Sequence, residues 1–176
     1  MTPRPVVDPG CDLHTHSDLT DGADSPEAMA DAALAAGLHT WGLSDHVRAD
    51  SEWLPGYVAR VRGLRRDGLT IRCGVEAKIL DSSGRLDLPA DLPPLDYVLV
   101  ADHQFPSVDG PVTPREMTRR LVSGETTTDA VLDTLIGATC AAGIGLAFPH
   151  WPALPMLLLM GAVSYTHLTL PTKRIV

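Results

Sequence analysis

Short apolar segments that end near His or Glu alternate along this chain with segments of helical pattern. The apolar segments predict five strands, over residues 11–13, 40–43, 69–75, 97–100 and 145–148. Capping residues and apolar spacing predict helices over residues 26–36, 57–67 and 129–142, and one that starts at residue 113. Strands that alternate with helices favour a parallel sheet, so the sequence predicts one α/β domain.

Potential metal ligands stand where these strands end. His14 and His16 project together, because alternate residues of an extended chain point to the same side. Later strands end in His46, Glu76, His103 and His150. Each alone could be an ordinary loop residue, but parallel strands bring their carboxyl ends to one rim. Imidazoles with one or two carboxylates suit zinc, manganese or iron rather than calcium.

Composition narrows the class of protein. The formal charge of −8 disfavours a nucleic-acid partner. The three cysteines are far apart and form no CxxC pair, which favours a reducing, cytoplasmic location. We expect no signal peptide, since the N-terminus lacks a charged start followed by an apolar run, and no membrane partner, since the apolar stretch 156–163 is too short to span a bilayer.

The last residues have an unusual pattern. The segment VSYTHLTLPT, residues 163–172, matches one reading frame of the transposase mosaic-end adaptor used to prepare sequencing libraries. We therefore expect residues 163–176 to be a non-native, adaptor-derived tail, which leaves His167 without a functional role. Residues 1–162 would then be a partial domain.

The segments DLHTHSDLTDG, GLSDH, GVEAKILDSSGRLDL, LDYVLVADH and FPH resemble the successive motifs of the PHP (polymerase and histidinol phosphatase) family. The resemblance covers residues 11–152. It implies a distorted (β/α)7 TIM-like barrel of PHP type, truncated here after about the fifth strand. It also implies two or three divalent metal ions (Zn, Mn or Fe) as cofactors.

The resemblance further implies a set of metal ligands, namely His14, His16, Asp21, His46, Glu76, His103 and His150. Glu76 would bridge two metals, and an Asp-x-His motif that the family places later in its sequence is absent here. Asp12 and Asp45 adjoin or lie near ligand histidines and would orient them, or they are ordinary strand-end acids. Arg48 would reach a substrate phosphate, or it is an exposed loop arginine.

The implied activity is that of a histidinol-phosphatase-like, metal-dependent phosphoesterase. A metal-bound hydroxide would hydrolyse a small-molecule phosphomonoester, with no catalytic side chain beyond the ligands. One alternative is a nucleotide or nucleic-acid phosphoesterase of the polymerase-associated PHP type. Another is an inactive metal-binding fragment, since the predicted truncation leaves the activity of these 176 residues open.

Overall fold

A computed structural model describes residues 8–101 and 103–145, with side chains as far as residue 142. These residues form an α/β fold, as the sequence predicts. Its elements are β1 (Cys11–Thr15), α1 (Pro26–Ala35), β2 (Thr40–Leu43), β3 (His46–Val47), α2 (Leu54–Gly63), β4 (Thr70–Lys78), β5 (Tyr97–Ala101), α3 (Pro114–Val122) and α4 (Thr128–Gly145). Among the described residues these elements form two compact units, one made of residues 8–78 and 87–99, the other of residues 79–86, 100–101 and 103–145.

The sheet is mostly parallel. β1 pairs with β2, β2 pairs with β4, and β5 also pairs with β4. β3 continues the line of β2 along the same edge of β4. The sequence separation between paired residues is the same in both, as in the pairs Thr40 with Thr70 and His46 with Glu76. This register places His46 directly opposite Glu76. Two of the predicted ligands therefore meet through strand pairing alone.

The helix boundaries test the capping arguments. Ser25 caps α1 by accepting a hydrogen bond from the Ala28 N–H, and Gly37 follows the helix with φ +81°. α2 begins at Leu54, earlier than predicted, because Pro55 suits the first turn and Leu54 is buried. The short strand β3 was not predicted at all.

The prediction of a fifth strand over residues 145–148 is wrong for Gly145, which is helical. Gly145 is the last residue of α4, and residues 146–148 lie outside the described part of the chain. Within α4, the buried Ala138 and Ala142 pack against Gly84, where an added Cβ would overlap the α4 backbone. Barrel closure and truncation stay predictions.

A compact apolar core supports the first unit. It is formed by buried side chains of the sheet and α2, namely Trp41, Leu43, Leu54, Val61 and Val75. Their burial fixes the strands that carry the predicted ligands, because a close-packed interior resists strand slippage. No helix within residues 8–101 and 103–145 is both long and apolar enough to cross a bilayer.

We predict that Cys73 of β4 resists alkylation in the folded protein. The side chain is buried, and burial raises the pKa of its thiol to about 12. Cys140 is exposed and serves as the internal control. With iodoacetamide at pH 8, we expect Cys73 to react at least about 100-fold more slowly than Cys140. Equal rates, measured by peptide mass spectrometry, would contradict the packing of β4.

Candidate metal centre

The Glu76 carboxylate lies at the centre of a group of imidazoles in the first unit. Its Oε2 atom is 2.9 Å from His14 Nε2, 2.9 Å from His16 Nε2 and 3.6 Å from His46 Nδ1. Glu76 is only 4% exposed. A buried carboxylate is costly unless it is paired or coordinates a metal, so these contacts are needed to keep it there.

Asp21 approaches the same imidazoles from the loop after β1. Its carboxylate oxygens lie 3.2 Å from His46 Nε2 and 3.6 Å from His16 Nδ1. Within the first unit, two groups of possible ligands result, His14 with His16 and Glu76, and His16 with Asp21 and His46. In each group the donor atoms lie within 4.8 Å of one another.

The donor chemistry fits a metal ion. His16 Nδ1 is buried, and no hydrogen-bond partner reaches it within the described residues. A buried ring nitrogen without a partner is costly in a protein interior, whereas coordination to a metal would satisfy it. Mixed imidazole and carboxylate donors suit zinc, manganese and iron. The geometry therefore supports a metal centre built around Glu76.

The same contacts shift the protonation of His14. The hydrogen bond with Glu76 is the main cause that raises the pKa of its imidazole above the ordinary value, while burial opposes this. A raised pKa means that the charged His14 stabilises the metal-free fold at low pH. That contribution is lost as the pH rises through the His14 pKa.

Asp45 anchors the loop that carries Asp21. Its fully buried carboxylate accepts hydrogen bonds from Ser17 N at 2.7 Å, Ser17 Oγ at 2.6 Å and Thr20 Oγ1 at 2.6 Å. Ser17 and Thr20 fall in the loop between His16 and Asp21, so Asp45 sets the path of that loop. Its predicted role in orienting an imidazole stays a prediction.

Asp12 contacts the backbone of a predicted ligand. Its Oδ1 atom accepts a hydrogen bond from the His14 N–H at 3.1 Å. This contact holds the peptide of His14, so Asp12 acts on the imidazole through the main chain. The predicted orientation of His14 by Asp12 stays a prediction, with this contact as its physical route.

Three further predicted residues are Arg48, His103 and His150. Arg48 follows β3 and is exposed, and its N–H donates to Ser51 Oγ at 2.9 Å. His103 follows β5 in the second unit and is also exposed. His150 lies outside the described residues. The sequence did not reveal Ser17 or Thr20, because nothing in the local pattern gives their distant partner Asp45.

Comparison with known families agrees with the motifs. The PHP domain family matches residues 12–169, which is most of the chain. The chain belongs to the PHP domain family. PHP domains are metal-dependent, which accords with the histidines and carboxylates around Glu76. The matched range extends past residue 162, so the non-native tail stays a prediction.

One curated relative of this PHP domain is a probable phosphatase from Acetivibrio thermocellus. It is 37% identical over 101 residues, which cover 53% of this chain and 41% of the relative. The chain thus spans less than half of that relative's length.

We predict that Asp45→Asn destabilises the first unit. The substitution removes the charge and one acceptor from a buried group that receives three hydrogen bonds. We expect the free energy of unfolding in urea to fall by about 2 kcal/mol. The matched control is Asp18→Asn on the same loop, which is exposed and should change stability by less than about 0.5 kcal/mol. Equal effects would refute the anchoring role.

We predict that Asp12→Asn and Asp12→Ala differ in metal affinity. Asparagine keeps the Oδ1 acceptor for the His14 N–H, whereas alanine removes it. We expect the Kd for zinc to rise about 10-fold in Asp12→Ala and by no more than about threefold in Asp12→Asn. Equal losses in calorimetric titrations would show that the negative charge, not the backbone contact, is what matters.

Proposed function

We propose that this PHP domain comes from a metal-dependent phosphoesterase that hydrolyses a small phosphomonoester. The observation that carries the proposal is the buried Glu76 carboxylate shared by His14, His16 and His46. The relative described as a probable phosphatase supports the same chemistry. Because the chain covers 41% of that relative, the proposal concerns the natural protein from which the chain derives.

The chain's own residues would hold the cations in fixed places. His14, His16 and Glu76 would hold one, and Asp21 with His46 would hold another, each group having its donor atoms close together. The family motifs extend the proposed ligand set to His103 and His150. Bound divalent cations supply Lewis acidity, which lowers the pKa of water and offsets charge on phosphoryl oxygens.

Substrate binding is proposed for Arg48. It lies one residue beyond the His46–Val47 segment that pairs with Glu76 and Ala77, and its side chain is exposed. A guanidinium binds phosphate through two parallel hydrogen bonds, which a lysine cannot reproduce. Arg48 would therefore orient the phosphate group of a substrate held at the metal centre.

We predict that Glu76→Gln weakens metal binding and changes its pH dependence. The neutral amide is a poor ligand, so the Kd for manganese or zinc should rise at least about 100-fold. In the wild-type chain, a metal must displace the proton that the Glu76 contact favours on His14, so affinity should rise with pH. In metal-free Glu76→Gln, the His14 titration followed by NMR should move to lower pH.

The matched control is Glu52→Gln. Glu52 is exposed and lies in the turn before α2, so its substitution should leave both the metal Kd and the His14 titration unchanged. If Glu76→Gln bound metal as tightly as Glu52→Gln, then Glu76 would not be a ligand.

Hydrolysis provides the direct test of function. The metal-loaded chain, and a longer protein in which other sequence replaces the predicted tail from residue 163, would be assayed on phosphomonoesters, nucleotides and oligonucleotides. We expect phosphomonoester hydrolysis that a chelator abolishes. Preference for oligonucleotides would favour the polymerase-associated alternative. If both the chain and the longer protein bound metal but hydrolysed no substrate, the result would favour the alternative of an inactive metal-binding domain.

A further inference from the structure

β1 contains a bulge at the residue that begins the metal centre. Asp12 pairs with Trp41 and Thr15 pairs with Leu43, so Leu13 and His14 together stand opposite Gly42. A bulge bends its strand and changes the direction in which a side chain points. The aim of His14 toward Glu76 therefore depends on the shape of this bulge.

Side chains hold the backbone of the bulge on both sides of His14. The Tyr97 hydroxyl donates to the Leu13 carbonyl at 2.8 Å, and the Asp12 carboxylate accepts the His14 N–H. One residue later, Thr15 Oγ1 donates to the Gly42 carbonyl at 2.9 Å. The peptide that joins Leu13 to His14 is thus fixed at its oxygen by Tyr97 and at its nitrogen by Asp12.

Tyr97 reaches the bulge across two strands. It is the first residue of β5, and its ring lies over Gly74 of β4 and Gly42 of β2. A Cβ at Gly74 would overlap the ring, and a Cβ at Gly42 would overlap the hydroxyl. The glycines of β2 and β4 therefore leave the space through which the Tyr97 hydroxyl reaches β1. A side chain that only filled the core would not need glycine on both strands.

We propose that Tyr97 is a positioning residue that fixes the β1 bulge and thereby aims His14 at Glu76. The effect of Tyr97 on metal affinity rests on the proposed function, whereas its effect on the direction of the His14 side chain does not. The geometric part of the proposal concerns the metal-free chain, where the rings of His14 and His16 have centroids 5.1 Å apart. Without the hydroxyl, the Leu13 carbonyl loses this donor, and His14 is free to turn away from His16 and Glu76.

The test compares Tyr97→Phe with Tyr57→Phe in the full chain. Tyr57 is buried, whereas Tyr97 is half-buried, and the Tyr57 hydroxyl lies within hydrogen-bond distance of the Leu43 and Gly74 carbonyls, at 2.8 and 2.7 Å. Both variants keep the aromatic ring and lose a hydroxyl that contacts backbone carbonyls, so both should lower the Tm. Only Tyr97→Phe removes a contact with the bulge.

Two readouts separate positioning from stability. In the metal-free chain, we expect the nuclear Overhauser contact between the His14 and His16 rings in the wild type and in Tyr57→Phe, and its loss in Tyr97→Phe. With zinc, we expect the Kd to rise about 10-fold or more in Tyr97→Phe and to stay within about threefold in Tyr57→Phe.

Several results would overturn the proposal. They are an unchanged ring contact and an unchanged Kd in Tyr97→Phe, equal changes in both variants, or no ring contact in the wild type. A wild-type chain that keeps the ring contact but binds no zinc would refute the proposed function instead. The ring contact in Tyr97→Phe would still decide whether Tyr97 positions His14.

Discussion

The buried charge of Glu76 is the constraint on which the rest of the site depends. A carboxylate with 4% exposure costs several kcal/mol unless groups of opposite charge or a metal compensate it. Three imidazoles lie within 3.6 Å of its Oε2 atom, namely those of His14 in β1, His16 just after β1 and His46 in β3. The strands must keep their register, because a shift of one residue would turn Glu76 away from all three.

A second layer of contacts holds the ligand-bearing segments rather than the ligands themselves. Asp45 fixes the loop that leads to Asp21, and Asp12 with Tyr97 fixes the peptide before His14. Backbone anchors of this kind keep a site in place before any metal arrives, which lowers the cost of binding. They also explain why buried polar groups such as Asp45 are tolerated so close to an apolar core.

The metal-free centre and the metal-bound centre compete for the same atoms. Without metal, the proton that Glu76 favours on His14 compensates the buried carboxylate. A divalent cation beside His14 and Glu76 would replace that proton, and a cation beside Asp21 and His46 would satisfy the Nδ1 of His16. The contribution of His14 to the stability of the metal-free fold and its contribution to metal affinity therefore depend on pH in opposite directions, since one needs the proton on His14 and the other needs it removed.

Local patterns in the sequence determined the α/β class, the capped start of α1 at Ser25 and the placement of His14, His16 and Glu76 near strand ends. These features follow from neighbours within a few residues, through capping and side-chain alternation. The pairing of His46 with Glu76, the bulge in β1 and the reach of Tyr97 to Leu13 were decided only by the tertiary structure. Each joins segments far apart in the chain, and no local pattern encodes which distant partner a backbone group will find.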